Sequence, residues 1–388
     1  MSENVKNMIG KVFSDIADAI ETGAFGERVR VGVTLLGSEH GVDNTLKGAE
    51  LAQKNNPNIE VIAIGPKVDT ELTVYEANTE DEQHSVMESL LSSGEISSVV
   101  TMHYNFPIGV STVGRVITPA GGKEMFIATT TGTSSAHRVE GMIRNAVHGI
   151  ITAKAMGIAK PTVGILNVDG ARQVERALNE LKENGYGIEF AESMRSDGGC
   201  VMRGNDLLTA TPDVMVTDSL TGNILMKMFS SYTTGGSIEA MGYGYGPGIG
   251  QGYDKTVLIV SRASGATVIA NAIQYAGDLV RGKVSKISEA EFDAVQKAKL
   301  CDVTAALTKK DSKKPAEEEA EVVAPEAEVV TGSISGVDIM DLEDAVQALW
   351  KNGIYAESGM GCTGPIVMVN EAKVEKATEV LSKEGYVQ

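Results

Sequence analysis

The chain has 388 residues, of which 42% are hydrophobic and 22% charged, and its formal net charge is −18. This length predicts two or three domains, and the acidic balance excludes a nucleic-acid partner, because phosphate contacts need clustered Lys and Arg. No stretch approaches 18 apolar residues and no basic, apolar leader opens the chain, so we expect a cytoplasmic protein without a membrane partner.

Short apolar runs alternate with amphipathic segments up to about residue 300. The pattern predicts strands over 29–36, 59–64, 96–102, 125–131, 162–168, 214–217 and 257–260. It predicts helices over 43–54, 80–91, 138–156, 171–184, 221–229 and 266–280. Strands that alternate with helices are typical of parallel sheets covered by helices, so the predicted fold class is α/β. Some 300 residues of this pattern predict a two-lobed, three-layer core with a cleft between the lobes.

The alternation stops at a segment of low complexity. Residues 315–330 are six Glu, four Ala, four Val and two Pro, a composition that cannot bury enough apolar surface to fold alone. We therefore predict a core over 1–310, a flexible linker over 311–330 and a small α/β module over 331–388. In this module the pattern predicts a helix over 338–352, strands over 354–357 and 366–369, and a last helix capped by Asn370. Between the two strands lies a glycine-rich loop that carries Cys362.

The first candidate site is the segment 218–223, Asp-Ser-Leu-Thr-Gly-Asn, which follows a predicted strand and opens a predicted helix. Ligands of open α/β sheets bind at the carboxyl ends of strands, and helix N-terminal amides favour anions there. Asp218, Thr221 and Asn223 are the candidate ligands, and Lys227 adds a positive charge one turn later. The alternative is an ordinary strand-to-helix turn that Asp218 or Ser219 caps.

A second candidate is the hydroxyl-rich turn 129–135, which His137 and Arg138 follow. Thr131, Ser134 and Arg138 are its candidate anion ligands, because the turn again leads from a strand into a helix. The alternative is a Ser/Thr cap of the long helix.

A third candidate is the glycine-rich segment 246–255, which leads through a strand to Ser261 and Arg262. Its glycines either let the backbone approach a ligand closely or simply make a mobile loop. Arg262 can contact phosphate in a bidentate manner, and Ser261 can orient a phosphate oxygen. The alternative for Arg262 is a pair with a surface carboxylate.

The cysteines point to a reducing compartment. Cys200, Cys301 and Cys362 form no CxxC pair and no zinc spacing, so we expect no disulfide framework, no metal and no cofactor. Cys200 is predicted to be a packed or idle thiol, with a second functional thiol as the alternative, and Cys301 receives no role. Asp169 and Arg172 are weaker cleft candidates.

Three motifs together resemble the phosphate acetyltransferases. They are Asp-x-x-Thr-Gly-Asn-x-x-x-Lys over 218–227, Gly-Pro-x-x-x-Gln-Gly-x-x-Lys over 246–255, and Ser-Arg at 261–262. The segments 161–167 and 213–227 are also similar to the phosphate acyltransferases of phospholipid synthesis. Both families have the two-lobed fold of the isocitrate dehydrogenase type. The resemblance implies that Ser261 and Arg262 act on the phosphate and on developing charge, with Asp218, Asn223 and Lys227 in the same cleft.

The C-terminal motif Gly-Met-Gly-Cys-Thr-Gly-Pro, joined to this core, resembles the alpha-subunit family of component C of the glycine, sarcosine and betaine reductases. This resemblance implies that Cys362 accepts an acetyl group from a selenoprotein component and that inorganic phosphate releases it as acetyl phosphate. The implied protein partners are the selenoprotein and the component C beta subunit. Residues 331–388 contain no His and no Arg, so a Cys/His dyad within this segment is excluded.

Several alternatives remain open from the sequence. Cys362 is structural if the protein is a stand-alone phosphate acetyltransferase that uses a soluble thioester such as acetyl-CoA. An NAD(P)-linked dehydrogenase shares the fold type, although no Gly-x-Gly-x-x-Gly turn follows the first strand. A scaffold subunit with an inactive cleft is the non-enzymatic alternative.

Overall fold

The computed structural model describes residues 28–194, 198–311, 322–337, 342–361 and 364–387, together with the isolated positions 10, 12, 13, 16, 17 and 20. Cys362 lies outside the described residues, as do residues 312–321 of the predicted linker and residues 338–341 at the start of a predicted helix. Within the described part, no helix is long and apolar enough to cross a membrane.

Among the described residues, twelve strands form one large sheet, in the order β3-β2-β1-β4-β12-β11-β5-β6-β10-β7-β8, with β9 beside β7. Their bounds are β1 Val29–Thr34, β2 Ile59–Gly65, β3 Thr73–Glu76, β4 Ser98–Thr101, β5 Val110–Ile117, β6 Glu124–Thr133, β7 Thr162–Leu166, β8 Glu189–Phe190, β9 Val201–Met202, β10 Val214–Val216, β11 Gly246–Ile249 and β12 Val257–Ile259. The pairs of β3, β2, β1, β4 and β12 are parallel, and so are those of β6, β10, β7, β8 and β9. The antiparallel strands β11 and β5 join these two halves.

Helices cover this sheet, which confirms the predicted α/β class. The helices are α1 Val42–Asn55, α2 Glu80–Ser93, α3 Arg138–Ala155, α4 Ala171–Glu183, α5 Gly204–Leu208, α6 Ser219–Ser231, α7 Ala266–Arg281, α8 Val284–Lys297 and α9 Leu300–Asp311. The strands are rich in Val and Ile because a parallel strand is covered on both faces. A continuous apolar core contains side chains from both halves of the sheet, among them Val31, Val113, Val163 and Ile273.

The mobile-loop alternative for 246–255 is wrong at its start, where β11 pairs with β12 and β5. Gly246 has φ +86°, and a Cβ placed on it would lie 1.8 Å from the carbonyl oxygen of Val113. The glycine therefore lets two strands approach closely, which β-propensity does not reveal.

The C-terminal part has its own sheet and its own core. Strands β13 Gly332–Ser335, β15 Gly364–Val369 and β14 Ala356–Gly361 pair in that order and antiparallel. Helices α10 Leu342–Lys351 and α11 Val374–Lys383 cover it. The core contains Val346, Leu349, Val367 and Leu381. Between the core and this part, residues 322–331 form no helix or strand.

The predicted glycine loop around Cys362 is too long. The register of β14 and β15 continues through Met360 with Pro365 to Gly361 with Gly364. The sequence therefore places Cys362 and Thr363, neither of which is among the described residues, between the ends of two paired strands. Glycine has low strand propensity, so the sequence pattern ended these strands too early.

Candidate active site

A cleft of about 700 Å³ opens at the carboxyl ends of β6 and β10, where α3 and α6 begin. Hydroxyl-bearing side chains dominate its wall. The lining consists of residues 129–136 and 218–221 with Arg138, Gly141, Met142, Asn145 and Asn223, and of Met360 and Pro365 from the C-terminal hairpin. Helix N-termini and a guanidinium at one cleft favour an anionic ligand.

Asp218 connects the two helix starts. Its carboxylate caps α6 by accepting the Thr221 N–H at 3.0 Å and the Thr221 hydroxyl at 2.8 Å. It also accepts a hydrogen bond from Arg138 Nη2 at 3.0 Å, and Asp169 lies 3.6 Å from the same guanidinium. Burial pushes the pKa of Asp218 upward, but the hydrogen bonds from Thr221 and Arg138 together hold it below its usual value. Asp218 therefore caps α6, as the alternative from the sequence proposed, and also lines the cleft.

The lowered pKa of Asp218 predicts how Asp218→Asn alters stability with pH. Asn caps helices about as well as Asp, so this variant removes mainly the charge. A group with a depressed folded pKa stabilises above its unfolded pKa of about 3.9, and this contribution is lost as the pH falls through the folded value. We expect the variant to be less stable at pH 7 by roughly 1 kcal/mol or less, because Arg138 is exposed. Urea unfolding from pH 7 to below 4 measures this difference, and a pH-independent difference would contradict the assignment.

The hydroxyl-rich turn is held by a buried polar network. Ser134 Oγ lies 2.6 Å from Asn145 Oδ1, and Ser111 Oγ lies 3.0 Å from the same oxygen. Asn145 Nδ2 donates to the carbonyl of Thr217 at 3.0 Å. Asn145 thus joins the ends of β6 and β10, and we did not predict it from the sequence. The signal was an Asn among the apolar residues of the long helix, since buried polar groups need partners.

Besides Asp218, Thr221, Ser134 and Arg138, the structure places two more predicted residues, Asn223 and Thr131, at the cleft. Asn223 Nδ2 donates to the carbonyl of Thr130 at 3.1 Å, and Thr131 lines the cleft. Lys227 does not line it. Its ammonium is 3.9 Å from Glu239, and its side chain is 55% exposed.

Ser261 and Arg262 follow β12 and do not line this cleft. Ser261 Oγ accepts the N–H of Ala263 at 3.1 Å. Arg262 lies 3.4 Å from Glu80, and both side chains are exposed. Arg262 therefore pairs with a surface carboxylate in this structure, as the alternative from the sequence proposed.

The remaining candidates lie away from the cleft. Arg172 pairs with Glu175 at 2.8 Å. The Cys200 thiol is buried and donates to Glu175 at 3.4 Å. Burial, with the neighbouring Glu175 carboxylate, raises the pKa of Cys200 to about 12, so the thiol is not a nucleophile at neutral pH. Cys301 is exposed.

The C-terminal hairpin forms part of the cleft wall. Met360 and Pro365, which face each other across β14 and β15, are part of the cleft wall. Ile108, in the loop between β4 and β5, packs against the C-terminal core, and Asn105 Nδ2 lies 4.0 Å from Met368 Sδ. The cleft is therefore built from two parts of the chain that the acidic segment separates.

Comparison with known proteins assigns the chain to one class of enzyme, the acyltransferases. A family model described as "Fatty acid synthesis protein" matches residues 29–368, and the chain belongs to this family. It is 67% identical over 384 residues, 99% of both chains, to the glycine/sarcosine/betaine reductase complex component C subunit alpha of Peptoclostridium acidaminophilum. The resemblance predicted from the Cys362 motif is thus confirmed.

More distant relatives are similar to part of the chain. A phosphate acyltransferase of Thermotoga petrophila is 27% identical over 235 residues, which cover 52% of this chain and 67% of that protein. Among solved structures, a branched-chain phosphotransacylase from Enterococcus faecalis covers 65% of this chain and 99% of its own, with 18% identity and a TM-score of 0.47.

Proposed function

We propose that the chain is the acyl-transferring subunit of a component C. Cys362 accepts an acetyl group from a selenoprotein component, and inorganic phosphate releases it in the cleft as acetyl phosphate. The 67% identity to a component C alpha subunit over nearly the whole chain supports this assignment. The implied partners are a beta subunit and the selenoprotein, in the cytoplasm.

One observation carries the proposal: Met360 and Pro365 line the same cleft as Arg138 and Asp218. Cys362 is two residues from Met360 and three from Pro365 in the sequence. An acetyl group on its thiol would therefore be attached to the chain next to two residues of the cleft wall. Effective concentrations of tethered groups reach about the millimolar range for short flexible linkers.

The chemistry needs an anion site and an acyl carbon in contact. A phosphate oxygen attacks the acetyl carbonyl carbon, the new C–O bond forms, and the C–S bond breaks with Cys362 sulfur leaving as thiolate. The N–H groups at the start of α6 that Asp218 does not cap and the Arg138 guanidinium, which Asp218 and Asp169 also contact, would meet the phosphate and the developing oxyanion. Residues 331–388 contain no His or Arg, so a guanidinium or imidazole at this site would come from the core or from a partner.

Peptide mass spectrometry tests the site of acylation. The full-length chain, with its beta subunit and the acetyl-bearing selenoprotein, is quenched in mild acid and digested with trypsin. We expect acetyl on the peptide 352–373, which contains Cys362, and its loss after addition of inorganic phosphate. The peptide 300–309 is a matched control, because Cys301 is exposed but distant in sequence from the hairpin.

Two results would count against the proposal. Acetyl phosphate formation without any acetyl on peptide 352–373 would exclude Cys362 as the carrier. Turnover with acetyl-CoA and no protein donor would favour the stand-alone phosphate acetyltransferase instead.

A further inference from the structure

Glu239 is a buried carboxylate between two groups of predicted phosphate ligands. Its side chain is 4% exposed, and both of its oxygens are engaged. Oε1 accepts the hydroxyl of Tyr245 at 2.9 Å, and Oε2 accepts the hydroxyl of Ser264 at 2.9 Å. Burying a charged carboxylate is costly unless it is paired and hydrogen-bonded, so this position needs a physical reason.

Glu239 holds the turn that carries Ser261 and Arg262. Ser264 Oγ donates to Glu239 and accepts the N–H of Ser261 at 3.0 Å. The backbone of Glu239 also donates to the carbonyl of Ala263 and accepts from Gly265. The turn is thus fixed to Glu239 by both its backbone and its side chains.

Glu239 also holds the cation of α6. Lys227 Nζ lies 3.9 Å from Glu239 Oε1 and 5.6 Å from the centre of the Tyr245 ring. The ammonium is exposed and the carboxylate is not, so the pair presents its positive end to solvent. A flexible Lys that is anchored by a buried carboxylate loses less side-chain entropy when it binds an anion.

The same network reaches the wall of the cleft. Tyr245 hydrogen-bonds Glu239 through its hydroxyl, and its carbonyl accepts the hydroxyl of Thr130 at 2.7 Å. The carbonyl of Thr130 in turn accepts a hydrogen bond from Asn223 Nδ2. Burial and the Glu239 carboxylate raise the pKa of Tyr245 far above its usual value, so this phenol remains a hydrogen-bond donor at neutral pH.

We infer that Glu239 is a positioning residue, which sets Lys227 and the Ser261–Arg262 turn as the second side of the phosphate site. It acts through Lys227 and Ser264 and does not itself touch the phosphate. This inference rests on the proposed phosphate chemistry. It explains how residues that do not line the cleft in this structure are connected to it.

The sign of the effect on phosphate affinity tests the inference. If Glu239 acted only as a negative charge near the phosphate, Glu239→Gln would lower the KM for phosphate. If it positions Lys227, the same variant raises that KM, by about tenfold, with kcat changed less than about threefold. Because part of the effect passes through Lys227, it should fall below tenfold in a Lys227→Met background, whereas independent sites would multiply.

Glu124→Gln is the matched control. Glu124 likewise accepts a tyrosine hydroxyl, from Tyr243 at 2.7 Å, and pairs with Arg115. It lies at the start of β6, seven residues and about 20 Å from Thr131 at the cleft end. Its KM for phosphate should be unchanged. An unchanged or lowered KM in Glu239→Gln, or an effect that multiplies with Lys227→Met, would overturn the inference.

Two further measurements keep the outcomes distinct. Tyr245→Phe and Ser264→Ala each remove one hydrogen bond to Glu239, and each should raise the KM about threefold, even if Glu239→Gln does not fold. Titration calorimetry with inorganic phosphate on the full chain separates binding from turnover. Binding that is equal in the wild type and in these variants rejects the positioning role alone, whereas a wild type that neither binds phosphate nor forms acetyl phosphate rejects the proposed function with it.

Discussion

Replacing Cys362 with Ala should abolish acetyl phosphate formation from the selenoprotein-bound donor. Alanine has no atom that can hold the acetyl group, so the covalent route is removed and not merely slowed. Loss of a catalytic nucleophile costs a factor on the order of 10³ or more in kcat. The measurement is acetyl phosphate production by the assembled complex with saturating phosphate.

Cys301→Ala is the control for this experiment. Cys301 is exposed and carries no predicted role, so its replacement should leave turnover within about twofold. Cys362→Ser is informative as well, since an oxygen ester is a poorer acyl donor to phosphate than a thioester. Undiminished turnover in Cys362→Ala would eliminate the thioester route, even if the cleft binds phosphate as proposed.

Gly222→Ala should disrupt the cleft. Gly222 lies in the first turn of α6, and a Cβ there would lie 1.7 Å from the carbonyl oxygen of Thr129. Alanine is normally better than glycine in a helix by about 1 kcal/mol. Overpacking against a backbone atom costs about 1–3 kcal/mol or more, so the clash exceeds the gain in propensity. We expect a lower urea midpoint and loss of acetyl phosphate formation together.

Gly204→Ala is the matched control for Gly222→Ala. Gly204 is the first residue of α5, and nothing lies within 4 Å of a Cβ placed on it. Its replacement should leave the midpoint unchanged or raise it slightly. Circular dichroism is the suitable probe, because the single tryptophan, Trp350, reports on the C-terminal part. A stable, active Gly222→Ala variant would show that α6 can move away from β6 without loss of the site.

Part of the site was predictable because its residues lie at recognisable strand-to-helix turns in the sequence. Asp218, Thr221 and Asn223 follow a short apolar run and begin a helix, and a strand-to-helix turn has a known relation to the edge of a sheet. The same logic applies to Thr131, Ser134 and Arg138. These six side chains belong to the wall of one cleft. Each of the two segments could be identified from its own local sequence. Their proximity follows from the expectation that the carboxyl ends of parallel strands lie at the same edge of a sheet.

The distance in space between segments far apart in the sequence could not be predicted in the same way. Ser261 and Arg262 were grouped with Asp218 because their motifs resemble one family, yet here they contact Ser264, Ala263 and Glu80 and not the cleft. Glu239 and Asn145 were missed because burial through tertiary contacts gives a polar residue no periodic signal in the sequence. Their partners lie on other elements, and only the fold reveals them.

The hairpin shows a further limit of propensity. Gly359, Gly361 and Gly364 indicated a loop, but the strands continue through them. Backbone pairing across a sheet does not need a side chain, whereas the propensity scale mostly records side-chain packing. The role of Cys362 stays a prediction.

The position of β12 has a consequence for synthesis of the protein. This strand lies between β4 and β11, and α7, which follows it, contacts α1. The first half of the sheet and its covering helices therefore contain residues from both 29–101 and 257–281, with the whole second half between them in the chain. A ribosome that has made only the first 250 residues has not supplied the strand that borders β4. The N-terminal half should thus reach its native state only late in translation, after the second half has had time to form.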